Sequence, residues 1–412
     1  MSFAQDDQSM NDFDDIFNDA QDITAEENDR INASENSTID EKGAFSFKFF
    51  GKLDSEIGLA FTERIGEIKD GDSRYYVSEY FNFKNDLSFS ARKDDTFAMH
   101  GTVRSEFFPI DLFNLRELYF DYMAGRYCLV SAGKKIHNWG YVRIFNNEDD
   151  YNTDVRITTN IVADSEKCMS GVLSFPFSFV TVTLVALYNP DEEKDHPVDK
   201  DNPPKLEDIS FAGSMEFLVG QTSINLYGRR SAPSEYNYKK ASGTGISNVF
   251  GIEGKRSIGN YDFYLQNTCQ VGGLEDKLKT NYVTAGFYRL WNDVGLNVEF
   301  QDVYDLKDEK TTLRCAIDFG MRRLGPDKDL KLGIQWRHDT GFDKTDYINI
   351  TDDYNLEKNN YERCKIKIGL VKSNVLPHVD WQNGIEFYYD VNEYPYFYKA
   401  RLGSIMKLKV KY

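Results

Sequence analysis

The sequence lacks any run of about 18 apolar residues, and this absence excludes a transmembrane helix. Its first five residues, Met-Ser-Phe-Ala-Gln, lack the basic and apolar regions of a signal peptide. Small residues there have the spacing of a signal-peptidase site, which favours the processed form of an exported chain. The five cysteines have no CxxC spacing, so they predict neither a disulfide framework nor a thiolate metal site. We interpret Cys168, Cys315 and Cys364 as small packing residues within strands.

The sequence also lacks a recognisable catalytic constellation. Gly243-Thr244-Gly245 is too short for a phosphate-binding loop. No Ser–His or Asp–His arrangement can be recognised from spacing, and no histidines pair at metal-ligand spacing. The five histidines are scattered: His100, His137, His196, His338 and His378. We therefore expect no enzymatic activity, no metal and no cofactor.

Aromatic residues and alternating hydrophobicity are abundant instead. Phe (30) and Tyr (26) supply most of the 15 % aromatic content. From residue 44 onward apolar and polar residues alternate, as in Val294/Leu296/Val298/Phe300. Such alternation is typical of strands with one apolar face. In a membrane-spanning β-barrel only every second strand residue faces lipid, so the mean hydropathy of −0.56 is compatible with such a barrel.

The connections between these alternating segments fall into two classes. Eight short ones, such as Gly220–Gln221, alternate with nine longer ones, such as Ile136–Asp164. Seventeen connections require eighteen strands, although sixteen also fit because boundaries read from sequence slip by several residues. Short turns facing longer loops are typical of outer-membrane barrels. We predict an all-β fold, a transmembrane antiparallel β-barrel over residues 44–412 with both termini periplasmic; a large soluble β-sandwich or propeller is the alternative.

The last sixteen residues, Phe397 to Tyr412, show the clearest two-faced pattern. Met406, Leu408 and Val410 share an apolar face that ends in Tyr412, whereas the opposite face is cationic. Ending on an aromatic resembles the C-terminal signature strand of bacterial outer-membrane β-barrel proteins. The resemblance implies recognition of this strand by the barrel-assembly machinery.

Residues 1–43 differ in composition from the rest of the chain. They hold 13 acidic residues against Arg30 and Lys42, which gives −11 of the total charge of −18. They are also rich in Asn, Gln and Ser. This composition predicts a largely disordered acidic tail, which the barrel topology would place on the periplasmic side.

The strand phase opposite the apolar residues is basic on the late strands. If the apolar residues face lipid, this phase lines the lumen. Carboxylates in it are fewer, chiefly Asp318, Asp329 and Glu386. Ladders of Arg and Lys in a pore favour anions, although such charges can also pair across strands simply to fill a lumen. The predicted basic wall consists of Arg314, Arg322, Lys331, Arg337, Arg363, Lys365, Lys367, Lys399 and Arg401.

A second group of residues spans positions 125–154: Gly125-Arg126, Gly133-Lys134-Lys135, Trp139-Gly140 and Asn146-Asn147-Glu148-Asp149-Asp150. It resembles the "G-R…G-K…W-G…D" pattern of substrate-specific outer-membrane porins, the alginate-export porins in particular. The resemblance implies an eighteen-stranded barrel with an arginine-rich conduit for a polyanionic sugar chain. It also implies that the loop Ile136–Asp164 folds inward as a constriction, with Arg126, Lys134 and Arg143 joining the basic wall and Glu148, Asp149, Asp150 and Asp154 facing it. The alternative for Trp139-Gly140 is an aromatic-girdle anchor followed by a turn.

The expected function is that of an outer-membrane porin, a passive channel for small hydrophilic and preferentially anionic solutes. Its expected partners are outer-membrane lipid and those solutes; a homo-oligomer is compatible with this size, and no nucleic acid is expected. One alternative is a surface adhesin that displays loops such as Pro190–Asp208 and Thr340–Asn359. The other is an uptake channel for hydrophobic compounds, which would need an N-terminal plug and an apolar lumen pocket.

Overall fold

The computed structural model describes residues 45–65, 73–93, 96–106, 111–135, 140–145, 169–188, 209–230, 248–271, 278–305, 310–343, 361–390 and 397–411. Within them no helix is long and apolar enough to cross a membrane. These residues form eighteen strands: β1 (Ser46–Ile65), β2 (Tyr75–Lys93), β3 (Phe97–Glu106), β4 (Asp111–Ala124), β5 (Cys128–Lys134), β6 (Met169–Pro176), β7 (Val180–Tyr188), β8 (Ser210–Val219), β9 (Thr222–Arg230), β10 (Asn248–Ile258), β11 (Tyr261–Val271), β12 (Leu278–Trp291), β13 (Val294–Asp305), β14 (Lys310–Leu324), β15 (Leu330–Asp343), β16 (Tyr361–Leu376), β17 (Val379–Asp390) and β18 (Phe397–Lys411).

The strands close into one antiparallel barrel. Each strand pairs with its neighbours in sequence, and β18 pairs with β1 from Lys52↔Lys411 to Ile65↔Tyr398. Closure gives every strand two partners and leaves no open sheet edge, which a membrane-spanning sheet requires. The predicted antiparallel barrel and the count of eighteen strands are confirmed.

The connections separate the barrel into two ends. At the short-turn end, hairpins such as β8–β9 and β10–β11 turn within two residues. Their first turn residues, Gly220 and Gly259, have φ of 63° and 60°, a left-handed conformation that glycine adopts without strain. The long-loop end carries the other connections, including β5–β6 and β7–β8. Because β1 starts and β18 stops at the short-turn end, both ends of the barrel chain lie there.

The two faces of the barrel differ in chemistry as the alternation predicts. On β18, Leu402 and Met406 are 56 % and 50 % exposed on the outer surface, whereas Ile405 and Lys407 point inward and are 6 % and 3 % exposed. Large exposed apolar side chains recur on the outer face of nearly every strand. An apolar outer band is the surface that lipid would cover.

Two sequence-based expectations fall partly or wholly outside the described residues. Cys315 and Cys364 lie on strands β14 and β16 as expected, whereas Cys168 lies outside them. The acidic tail, residues 1–43, also lies outside, so its disorder and its periplasmic location stay predictions.

Candidate functional site: the inner face of the barrel

The inner face of strands β14–β18 is rich in cations. Six of the nine residues predicted for the basic wall have described side chains on this face, and Lys407 and Lys409 join them. The backbones of Arg363, Lys399 and Arg401 pair with Asp339, Arg64 and Thr62, while their side chains lie outside the described residues. The eight described cations are Arg314, Arg322, Lys331, Arg337, Lys365, Lys367, Lys407 and Lys409, against the carboxylates Asp318, Asp339, Asp380 and Glu386. We name this surface the basic wall.

Several of these charges pair across neighbouring strands. Arg314 lies 3.3 Å from Asp339, and Lys365 lies 3.7 Å from Glu386. Arg337 makes a two-pronged contact with Asp318 in which Nη2 donates to Oδ2 at 3.1 Å. Such bidentate pairs are the strongest ionic contacts that arginine makes. The middle of the basic wall is therefore partly neutralised by its own carboxylates.

A short segment of the β5–β6 connection, residues 140–145, lies inside the barrel. Val142 and Phe145 are only 4 % and 7 % exposed, and they pack with Tyr264 of β11 and Ala316 of β14. Burial of these two apolar side chains holds the segment against strands β10–β14. We name residues 140–145 the inner segment.

Glu299 of β13 holds the backbone of the inner segment. Its carboxylate accepts N–H donors from Arg143 at 2.6 Å and from Ile144 and Phe145 at 2.9 Å each. The Tyr264 hydroxyl donates to the same carboxylate at 2.5 Å. Glu299 is fully buried, so these donors replace the water that an exposed carboxylate would bind.

A glycine on the next strand allows this arrangement. A Cβ at Gly286 would lie 2.6 Å from the ring of Tyr264. Without it, the tyrosine ring lies flat across β12 and its hydroxyl reaches Glu299 and, at 2.9 Å, Asn297. A side chain at position 286 would displace the ring and remove one donor from the carboxylate.

Glu253 of β10 holds the other end of the inner segment. It accepts the N–H of Tyr141 at 3.0 Å and amide donors of Asn225 and Gln266 at 2.8 and 3.3 Å. The Tyr141 hydroxyl lies 2.8 Å from Glu216. Burial raises the pKa of the Tyr141 hydroxyl, and the nearby Glu216 carboxylate raises this pKa further. The hydrogen bond between the Tyr141 and Ser223 hydroxyls opposes the shift. The phenol is therefore neutral and donates at physiological pH.

The carboxylates beneath the inner segment differ from those of the basic wall. In the part of the chain that the structure describes, Glu216, Glu253 and Glu299 have no cationic partner within 4 Å; their donors are backbone, amide and hydroxyl groups. Arg314 links the two surfaces, because its guanidinium lies 4.8 Å from the ring centroid of Phe145. Carboxylates without a cationic partner thus lie on β8, β10 and β13, beside the cations Arg229 and Lys255, and a surplus of positive charge lies on β14–β18.

Of the residues predicted for the constriction, the structure describes Arg126, Lys134 and Arg143, and it does not bring these three together. Arg143 lies on the inner segment, 3.9 Å above the ring of Tyr288. Arg126 instead occupies the exposed β4–β5 turn at the short-turn end. Glu148, Asp149, Asp150 and Asp154, together with Trp139, lie outside the described residues.

Lys134 also differs from the expectation. It pairs in register with the outward Met169, and its Nζ donates to the backbone oxygen of Leu115. The next residue, Lys135, is the one that enters the lumen: its Nζ lies 3.0 Å from Asp121 and 4.4 Å from the ring centroid of Tyr119. A shift of one residue moves a side chain to the opposite face of a strand, which explains the difference.

Sequence reasoning missed the function of Glu253 and Glu299. Their inward direction can be predicted from the sequence, because Glu253 alternates with the outward Phe250 and Ile252. Their hydrogen-bond partners cannot be predicted from the sequence, because the N–H donors to Glu299 belong to residues about 155 positions earlier in the chain. No local pattern reports a contact at that separation.

The inner face of β6 and β7 differs from both of these surfaces because it carries no charged side chains. Val172, Val185 and Leu187 point inward there and cluster with Ala212 of β8. Val185 and Leu187 are 3 % and 2 % exposed, so this patch is not an open apolar pocket. Across the residues described, no three His, Cys, Asp or Glu side chains gather closely enough to hold a metal ion.

Comparison with known proteins identifies the fold. Neither a family model nor a curated protein sequence matches this chain. Among solved structures it is similar to OpdQ of Pseudomonas aeruginosa (TM-score 0.51, 10 % identity, 88 % of this chain and 98 % of that one). It is also similar to OccAB4 of Acinetobacter baumannii (0.51, 8 %, 91 % and 100 %) and to OccD3 of P. aeruginosa (0.50, 10 %, 87 % and 91 %).

The chain therefore has the fold of a bacterial outer-membrane porin, a closed eighteen-stranded β-barrel. At about one identical residue in ten, the likeness concerns the path of the backbone and not the lining of the lumen. The resemblance to alginate-export porins rests on the sequence pattern at positions 125–154 alone.

Proposed function

We propose that this barrel is an outer-membrane channel through which small hydrophilic solutes diffuse, and that it prefers anions. The observation that carries the proposal is the contrast between its faces. The outer face is apolar, whereas charged and hydrogen-bonding side chains occupy most of the inner face. A lumen lined in this way favours water and hydrophilic solutes.

The preference for anions rests on where the charges are exposed. Glu253 and Glu299 are 2 % and 0 % exposed beneath the inner segment, so a passing solute does not contact them. Five cations of the basic wall are similarly buried, namely Arg314, Arg337, Lys365, Lys367 and Lys407. The part-exposed cations are Arg322, Lys331 and Lys409, and the preference for anions rests on these three. A surplus of fixed positive charge raises the local concentration of anions.

The proposal also includes an orientation. Short turns and both ends of the barrel chain lie together, and in outer-membrane barrels the short turns are periplasmic. We therefore place both termini in the periplasm. The final strand, with its apolar outer face, would be the segment that the barrel-assembly machinery recognises.

The experiment is a reversal-potential measurement on protein refolded in detergent and inserted into a planar bilayer across a KCl gradient. A heat-modifiable mobility on a gel establishes first that the barrel has folded. We expect stable open steps and a reversal potential that shows preference for chloride. Clear preference for potassium would contradict the proposed solute charge, and a folded barrel without open steps would contradict the channel and favour the adhesin.

A further inference from the structure

The outer face of β10–β12 carries two arginines near the short-turn end. Arg256 of β10 pairs in register with Phe263 of β11, and Arg289 of β12 pairs with Tyr261 of β11. Directly opposed residues of neighbouring strands point to the same side of a sheet, and Phe263 is 42 % exposed on the outer face. Both arginines therefore point toward the surface that lipid would cover, each of them three residues before a turn.

Two aromatic rings fix the position of Arg289. Its guanidinium carbon lies 4.2 Å from the ring centroid of Tyr261 and 4.1 Å from that of Trp291. Its Nη1 also donates to the Tyr261 hydroxyl, and the two rings meet edge to face with centroids 6.4 Å apart. Stacking on aromatic faces orients a planar guanidinium and leaves donors along its edge for an anion.

The position of these residues along the barrel matches the level of lipid headgroups. Tyr and Trp are enriched where a membrane meets water, because one part of each ring system is apolar and the other is polar. An arginine on the lipid-facing surface is costly at the bilayer midplane and costs little near the interface. Arg289 lies beside Tyr261 and Trp291 close to the short turns, so its charge lies at the depth of the phosphates.

Neither arginine is paired with a carboxylate among the residues that the structure describes. Arg256 is exposed and makes no ion pair or hydrogen bond with them, and Nε of Arg289 is buried without an acceptor. Two carboxylates lie nearby in sequence, but both are bound elsewhere. Asp293 of the β12–β13 turn contacts Arg323, and Asp262 points inward, where it lies 3.0 Å from Lys255.

The spacing of the two arginines suits one shared anionic group. Strands β10 and β12 flank β11, and the registers offset Arg256 from Arg289 by two residues along the strands. Strand spacing and rise then place their Cα atoms about 12 Å apart. Two side chains as long as those of arginine can both reach a group that lies outside β11.

We propose that Arg256 and Arg289, together with Tyr261 and Trp291, bind the phosphate headgroup of an anionic phospholipid in the periplasmic leaflet. We name these four residues the lipid site. Guanidinium groups bind phosphate oxygens through charge-assisted N–H donors. Phosphatidylglycerol carries a net negative charge, whereas the phosphate of phosphatidylcholine already has its own cation. The choice of leaflet rests on the proposed orientation of the barrel, and the binding of phosphate does not depend on the channel function.

The first test measures retained lipid. The full chain is folded in a neutral detergent and mixed with phosphatidylglycerol or phosphatidylcholine, and the lipids bound per barrel are counted by native mass spectrometry. The unmodified barrel should retain phosphatidylglycerol in preference, and R256Q/R289Q should bind it about tenfold more weakly. Heat-modifiable mobility establishes that each variant has folded. Equal retention of the two lipids by the unmodified barrel overturns the proposal.

A matched control separates the lipid site from net charge. R323Q/K372Q also removes two exposed cations at the short-turn end, but each of these contacts a carboxylate, Asp293 and Asp329 respectively. The control should retain phosphatidylglycerol as the unmodified barrel does. An equal loss in both double variants would mean that only net charge matters, and it would overturn the assigned site.

The conservative variant R289K tests the stacked geometry. Lysine keeps the positive charge but lacks the planar guanidinium that stacks on Tyr261 and Trp291. We expect retention of phosphatidylglycerol between that of the unmodified barrel and that of R256Q/R289Q. Retention equal to that of the unmodified barrel would contradict the role of the two rings.

Two competitors distinguish the sources of phosphate. Phosphatidylglycerol should stay bound when inorganic phosphate is added at matched ionic strength, and when an equimolar amount of lipid A is added. Displacement by inorganic phosphate would make the lipid site a site for a small free anion. Displacement by lipid A would assign it to lipopolysaccharide of the opposite leaflet. Either result overturns the phospholipid.

Failure of the lipid site can be distinguished from failure of the channel. Arg256 and Arg289 lie outside the lumen, so R256Q/R289Q should conduct like the unmodified barrel in a phosphatidylcholine bilayer. A barrel that conducts but shows no preference for phosphatidylglycerol overturns the lipid site alone. A barrel that retains this lipid through the two arginines but shows no open steps supports the lipid site and overturns the channel alone.

Discussion

Carboxylates on two parts of the inner face, β14–β17 and β10/β13, have different functions. On β14–β17, Asp318, Asp339 and Glu386 each contact a cationic side chain of a neighbouring strand. On β10 and β13, Glu253 and Glu299 contact no cation among the described residues and instead accept N–H donors from the inner segment. The first group neutralises charge, and the second positions a loop.

The difference has an electrostatic consequence. A carboxylate bound only to neutral donors has no adjacent cation to offset it, whereas a carboxylate paired with arginine offsets that positive charge. The basic wall and the carboxylates on β8, β10 and β13 therefore divide the charge of the inner face between two regions, and β13 lies directly beside β14. The sequence predicted acidic residues of the loop facing the basic wall, and those residues lie outside the described ones, so that expectation stays a prediction.

The largest expected effect comes from removing the carboxylate that holds the loop. E299A leaves three backbone N–H groups without their acceptor and the Tyr264 hydroxyl with Asn297 alone, and buried donors left unsatisfied cost about 1–3 kcal/mol each. We expect the inner segment to leave the wall. Limited proteolysis within residues 136–168 and noisier, larger open steps in a bilayer would report this change.

The matched control for that variant is E106A. Glu106 lies 3.3 Å from Lys84 and is part-exposed, so its removal should cost at most about 1 kcal/mol. The proteolytic pattern of E106A should equal that of the unmodified protein. Equal susceptibility of both variants would show that Glu299 has no special function in holding the loop.

A smaller effect is expected from breaking one pair on the basic wall. R337Q leaves the Asp318 charge uncompensated and should lower the preference for anions, whereas D318N should raise it. A single charge at a few ångströms from the path in a watery lumen corresponds to about a twofold change in permeability ratio. Reversal potentials of the two variants should shift in opposite directions, and a shift of both in one direction would contradict the placement of this pair beside the path.

The smallest effect concerns Tyr141. Y141F removes hydroxyl contacts with Glu216 and Ser223 and should weaken docking of the inner segment by about 1 kcal/mol. Because the pKa of Tyr141 is raised in the docked state, the undocked tyrosine ionises first, near its usual pKa of about 10. Docking should therefore weaken as pH rises above that value. Proteolysis rates between pH 8 and 11 should show a shallower dependence in Y141F, and identical profiles would exclude this contribution.

The fold was more predictable than the site, for a physical reason. Leu402 and Met406 could be assigned to the outer face and Lys407 to the inner face because successive strand residues point to opposite sides. The same rule failed for Lys134 and Lys135. Alternate residues face the lumen, so an error of one residue in the alternation assigns a side chain to the wrong face. Arg126 was grouped with Arg143 by a resemblance, whereas the β4–β5 turn places it at the short-turn end of the barrel.

The sequence by itself determined the strand alternation, the number of strands and the basic composition of the late strands, because each depends on residues close together in the chain. Only the tertiary structure decided which donors reach Glu253 and Glu299, and which cations are paired. The backbone donors reach the two glutamates because the inward course of residues 140–145 brings together groups more than 100 residues apart. The pairing of the cations depends instead on the register of neighbouring strands. Local periodicity does not predict such contacts. The path that a solute would take through the lumen therefore depends on the folded barrel.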